Sequence, residues 1–162
     1  MIIFLISIIS FVLEFLFVHF NGSIFSGLII FTTIILLEPY FKKNKYLYFF
    51  YCFIVGFLYD YIYTGTYFMN AGLFLLVGLF VDYLNGITPN NLFVSMLELV
   101  VLISLYRIFS FFFFCLNGII GFDIHFLFKS IYSSFLLNIM YGLILYFVLF
   151  LISLKFKIKR IN

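Results

Sequence analysis

Apolar stretches of bilayer-crossing length make up most of this chain, and two tight basic patches interrupt them. Lys42, Lys43 and Lys45 form one patch and Lys155, Lys157, Lys159 and Arg160 the other, together seven of the nine Lys and Arg residues. A helix needs about 20 apolar residues to cross the hydrocarbon core, and Lys and Arg gather in the cytoplasmic connections between such helices. The patches therefore read as cytoplasmic anchors of a multi-pass membrane protein. Composition removes the soluble alternative: 67% of residues are hydrophobic, only 9% are charged, and 28 are Phe, more apolar surface than a soluble fold can cover. A transmembrane β-barrel would alternate apolar and polar positions, and the run from Phe111 to Leu116 does not.

The expected fold class is an all-α integral membrane protein, a single polytopic domain over residues 1–162. It holds six transmembrane helices, or five if the second segment does not cross. The first span runs from Met1 to about Phe20; with no basic n-region and no small-residue cleavage site, it reads as a retained helix. Asn21, Gly22 and Ser23 make the first turn. The second segment, Ile24 to Leu37, gives only about 21 Å of helix, short of the roughly 30 Å core, so it is expected to tilt, thin the bilayer or re-enter. The third span is Tyr46 to Tyr63 and the fourth reaches Leu84 after Thr64-Gly65-Thr66. A loop from Asn85 to Asn91 precedes the fifth span, Leu92 to Leu116. The loop from Asn117 to Ser130 precedes the sixth, Ile131 to Leu154. Four spans separate the basic patches, so both lie on one side, which places the C-terminus, and with six spans the N-terminus, in the cytoplasm.

Charges inside spans cost about 2.5–3.5 kcal/mol each on insertion scales, so Glu14, Asp60, Asp82, Glu98 and Arg107 are the residues that need a reason. Counted at about 1.5 Å per residue, Glu14, Asp60 and Arg107 all fall roughly 5–8 Å on the outer side of the midplane. Glu98 shares a helix with Arg107, but nine residues at about 100° each put the two on opposite faces. Arg107 is therefore expected to pair with Asp60, with Glu14 as the alternative. Asp82 and Glu98, nearer the cytoplasmic side, are expected to reach headgroup water.

Catalytic constellations are not visible. Asp60 and Asp82 differ by about 15 Å or more in depth and cannot share a proton as an aspartyl protease dyad must. His19 and His125 have no further ligand at metal spacing beyond Asp123, and Cys52 and Cys115 sit in apolar runs as small hydrophobes. No phosphate loop, nucleophile elbow or zinc motif occurs. The net charge of +3 comes from membrane-edge residues and fits anionic headgroups, so the expected contact is the lipid bilayer and not nucleic acid.

The densest local pattern runs from Gly56 to Gly86. Gly56 and Asp60, four apart, share a helix face, so a neighbouring helix can approach closely beside the carboxylate. Gly65 stands in the turn, and Asn70, Ala71 and Gly72 open the next span. In Gly56, Asp60, Gly65, Asn70 and Ala71, with the hydropathy profile and the basic C-terminal tail, the chain resembles the bacterial rod shape-determining protein MreD family over nearly its whole length. Phe68 and Met69 depart from that pattern, since many members carry a glycine shortly before the Asn-Ala position. The resemblance implies a fold like the substrate-binding components of vitamin transporters. It also implies a plasma-membrane scaffold of the cell-elongation complex, without enzymatic activity or cofactor. The implied partners are a single-pass MreC-like protein and other elongation-complex membrane proteins, and the role is to couple MreB filaments to peptidoglycan synthesis. The partner-binding or helix-packing residues would be Gly56, Asp60, Gly65, Asn70 and Gly72. A second reading is the substrate-binding subunit of a vitamin-type transporter, its pocket drawing on Asn70, Asn117 and Asn138; with one alanine, the chain is poorly suited to the alanine-rich docking such subunits use.

Overall fold

With no water to take up free N–H and C=O groups, an apolar chain in lipid must close its backbone hydrogen bonds within each segment, and this one does so by helix throughout. A computed structural model describes residues 2–21, 28–41, 44–66, 68–88 and 91–155, and for Ile2, Phe20, Asn21 and Lys155 the backbone only. Lys42, Lys43, Lys157, Lys159 and Arg160, and the turn and first residues of the second segment at 22–27, lie outside the described residues.

Helix α1 spans Ile2–Asn21 and α2 spans Ile29–Leu37, closed by a 3₁₀ turn at Glu38–Phe41. Helix α3, Lys45–Tyr59, runs into a π-turn at Asp60–Thr64; α4 is Met69–Ile87, α5 Leu92–Leu116 and α6 Ile124–Lys155. Among the described residues there is no strand. Four of these segments, Lys45–Thr64, Met69–Ile87, Leu92–Leu116 and Ile124–Leu154, are long and apolar enough to cross a membrane. Their outward faces carry exposed Phe, Leu and Ile, such as Phe80, Phe109, Leu136 and Phe147, as surfaces solvated by lipid do.

The short second segment has a physical explanation. All nine residues of α2 are buried, because α1, α4, α5 and α6 pack around it. A helix enclosed by protein need not match the hydrocarbon thickness. Phe31 of α2 anchors an aromatic cluster, 5.5 Å from Phe74 and 5.0 Å from Tyr106, with Tyr59 5.4 Å from Phe74. Tyrosines tie the bundle by donating to main-chain carbonyls on other elements: Tyr40 to Leu149, Tyr48 to Ile34 and Tyr63 to Phe11.

The long loop expected from Asn117 to Ser130 is half as large. Gly118, in the left-handed region at φ +69°, ends α5, and α6 already begins at Ile124. Asp123 accepts the His125 N–H at 2.9 Å and so caps α6, which is the role of the carboxylate that stood beside that histidine in sequence. The Asn85–Asn91 loop likewise shrinks, with α4 continuing to Ile87.

Candidate functional site

The first turn of any helix leaves backbone N–H groups without intrahelical partners, and in a dry core each must find an acceptor. Two helices here begin with residues that cannot supply one. Leu28 precedes α2 and Phe68 precedes α4, neither with a side-chain cap. The acceptors come from neighbouring helices. Glu14 of α1, fully buried, accepts the Ile30 N–H at 2.9 Å on one oxygen and the Tyr59 hydroxyl at 3.2 Å on the other. Asp60, 3% exposed, accepts the N–H groups of Asn70 at 3.1 Å and Ala71 at 3.0 Å on its two oxygens. Each carboxylate therefore caps a helix of another segment, where the N-terminal end of the helix dipole also favours negative charge.

Asp60 is the better satisfied of the two. Its Oδ1 also takes the Asn70 amide at 2.8 Å, the Thr64 hydroxyl at 3.2 Å and the Thr66 hydroxyl. Asn70 in turn accepts the Tyr106 hydroxyl at 2.6 Å, which links the hairpin to α5. The path of the chain makes this possible: the π-turn ends at Gly65, which adopts φ +63° and returns its N–H to the Asp60 carbonyl at 2.8 Å. The chain then doubles back so that α4 starts against the end of α3.

Gly56 lies at the crossing of that hairpin. A Cβ there would come within 2.5 Å of the Asn70 carbonyl oxygen and 2.7 Å of the Ala71 Cα. Gly56, Asp60, Asn70 and Ala71 thus meet in one contact, with Gly65 in the turn above it. Gly72 does not join them: nothing stands within 4 Å of where its Cβ would be. Further along α4, Gly78 makes the second close approach, where an added Cβ would stand 2.7 Å from the Cys52 sulfur, a contact that sequence reading passed over because Cys52 looked like ordinary core.

The expected Asp60–Arg107 ion pair gives way to a different arrangement. Asp60 is bonded by neutral donors, and among the described residues no ion pair joins Arg107 to Asp60 or Glu14. Arg107, also buried, donates Nε to the Ser134 hydroxyl at 2.9 Å and holds its guanidinium carbon 6.0 Å from the Tyr106 ring centre. Asn138 continues this polar seam, accepting the Thr32 hydroxyl and donating to the Ser134 carbonyl.

At the opposite end of the hairpin, Asp82 meets Lys45 at 2.7 Å in an exposed ion pair. Glu98, mostly buried, accepts the Thr88 hydroxyl, and Glu38 accepts the Asn85 amide. Among the described residues no three His, Cys, Asp or Glu are placed to hold a metal ion. His19 stacks on Phe15, and Cys115 points its thiol at the Gly121 carbonyl.

Taken together, the helices and their internally capped ends define an all-α membrane protein. No family model, no curated protein and no solved structure matches the chain.

Proposed function

We propose that this protein is a non-enzymatic scaffold of the bacterial plasma membrane, of the MreD type. In this reading it docks a single-pass MreC-like helix and helps connect MreB filaments with peptidoglycan synthesis. The chain crosses six times, with both termini in the cytoplasm and α2 as the enclosed second crossing, in a bundle like that of vitamin-transporter substrate-binding components. One observation carries the reading. The five residues that bear the resemblance, Gly56, Asp60, Gly65, Asn70 and Ala71, belong to one capped hairpin whose packing depends on each of them.

That geometry also divides the small residues by use. Gly56 is occupied inside the hairpin and is closed to a partner, whereas Gly72 faces outward into an apolar groove of about 410 Å³ between α4 and α5. Leu73 and Leu76 flank it on α4, with Phe109 and Phe112 across from them on α5. Small residues beside aromatic walls suit close van der Waals packing of a membrane helix. The partner helix seats over Gly72.

Affinity purification from gently solubilised membranes tests this. The wild-type chain brings down a single-pass membrane protein, and Gly72→Trp, which fills the groove on the side of α4 away from the Gly56 crossing, loses it. Capture of no single-pass protein, or undiminished capture by Gly72→Trp, overturns the assignment. A stoichiometric vitamin found by mass spectrometry of the purified chain would favour the transporter reading in its place.

A further inference from the structure

A cavity of about 470 Å³ opens at the turn end of the α3–α4 hairpin, lined by Phe57, Asp60, Tyr61, Gly65, Thr66 and Phe68. Its depth follows from chain length. Lys45 and its partner Asp82 mark one membrane edge, and Lys45–Thr64 is 20 residues, about 30 Å of helix at 1.5 Å per residue, close to the hydrocarbon thickness. The mouth of the cavity therefore lies at the opposite headgroup boundary, with Asp60 about one turn inside it.

The carboxylate on its wall has acceptor capacity left on one side only. Oδ1 is crowded by four donors, whereas Oδ2 receives, among the described residues, one donor, the Ala71 N–H, and a carboxylate oxygen can accept two. Among the described residues all five donors are neutral groups, so a cationic donor would add the first charged partner to this carboxyl. Three aromatic residues also line the wall, and the faces of such rings attract cations. Phe68 is held there at a cost. It is the non-glycine residue with positive φ, +59°, among those described, and this conformation keeps its ring 5.3 Å from that of Phe57. A bulky residue kept in the left-handed region next to a cavity is the kind of backbone strain that collects at ligand clamps.

We propose that this cavity binds the primary ammonium of an ethanolamine-type phospholipid headgroup. The ammonium donates to Asp60 Oδ2 and rests against the rings of Phe57, Tyr61 and Phe68, and the acyl chains run down the lipid-facing side of the hairpin. A primary ammonium fits better than a quaternary one because the free position is a hydrogen-bond acceptor. The site is independent of the scaffold reading and of the groove over Gly72.

Native mass spectrometry of the detergent-purified full-length chain, titrated with phosphatidylethanolamine, phosphatidylcholine and phosphatidylglycerol of matched acyl chains, tests it. Ethanolamine lipid binds about tenfold more tightly than either competitor, the scale of one hydrogen bond to a charged group. Asp60→Asn abolishes the preference, and Tyr61→Ala reduces it. Tyr61 is exposed and takes no part in capping, so Tyr61→Ala decides the matter if Asp60→Asn fails to fold. Equal binding of the three lipids, preference for either competitor, or full retention of the preference by folded Tyr61→Ala overturns the proposal.

Discussion

Adding one methyl group at Gly56 separates the two helices of the hairpin. The new Cβ would stand 2.5 Å from the Asn70 carbonyl oxygen and 2.7 Å from the Ala71 Cα, both main-chain atoms that cannot rotate aside. Restoring an ordinary 3.4 Å contact moves α4 from α3 by about 0.9 Å. Asp60 travels with α3, so the Asn70 N–H bond of 3.1 Å stretches toward 4 Å, beyond hydrogen-bond range. Overpacking costs about 1–3 kcal/mol, and weakening a buried cap adds about 1–3 kcal/mol, so Gly56→Ala should destabilise by roughly 2–6 kcal/mol. At about 2–4 °C per kcal/mol for a chain of this size, the unfolding midpoint drops by roughly 4–24 °C. Gly72→Ala, with open space around its Cβ, is the control and should melt with the wild type. Thermal unfolding of the three proteins in one detergent, followed by retention on size exclusion, measures the difference. Equal midpoints for Gly56→Ala and Gly72→Ala would refute the close-crossing account.

Asp60→Ala leaves the buried Asn70 and Ala71 N–H groups without acceptors and should cost about 2–6 kcal/mol, whereas Asp82→Ala breaks a half-exposed pair worth about 0–1 kcal/mol; chemical denaturation in detergent ranks them. Gly78→Ala collides with the Cys52 sulfur at 2.7 Å and destabilises, and adding Cys52→Ala relieves the collision, so the double variant should be more stable than Gly78→Ala alone by the same assay. Gly65→Ala places a side chain in the left-handed region and should cost about 1–2 kcal/mol although nothing surrounds it, visible as a midpoint drop of a few degrees.

The long apolar helices were legible in sequence because lipid leaves the backbone almost no other choice, and the close approach at Gly56 was legible because a glycine four residues before a carboxylate marks one packed face. The role of that carboxylate was not. A rule that pairs opposite charges inside the membrane sent Asp60 to Arg107, but helix N-termini present donors too, and Asp60 and Glu14 answer to those. The clue available in sequence was the poor capping chemistry of Leu28 and Phe68, which left the starts of α2 and α4 needing acceptors from elsewhere. The reason for the shortness of the second segment was not legible either: length is judged against lipid, whereas the nine residues of α2 are enclosed by four helices. Helix α6 begins at Ile124, seven residues before the expected Ile131, where Asp123 accepts the His125 N–H.

Amide hydrogen exchange at Asn70 and Ala71, followed by mass spectrometry in wild type and in Asp60→Asn, reads most directly whether an intramembrane carboxylate holds the start of α4. Both amides should exchange slowly in the wild type and about tenfold or more faster in the variant, since losing a charge-assisted bond removes at least about 1.4 kcal/mol of protection, while amides in the middle of α5 stay unchanged. Unaltered exchange at Asn70 and Ala71 in a folded Asp60→Asn protein would contradict the capping role on which the hairpin depends.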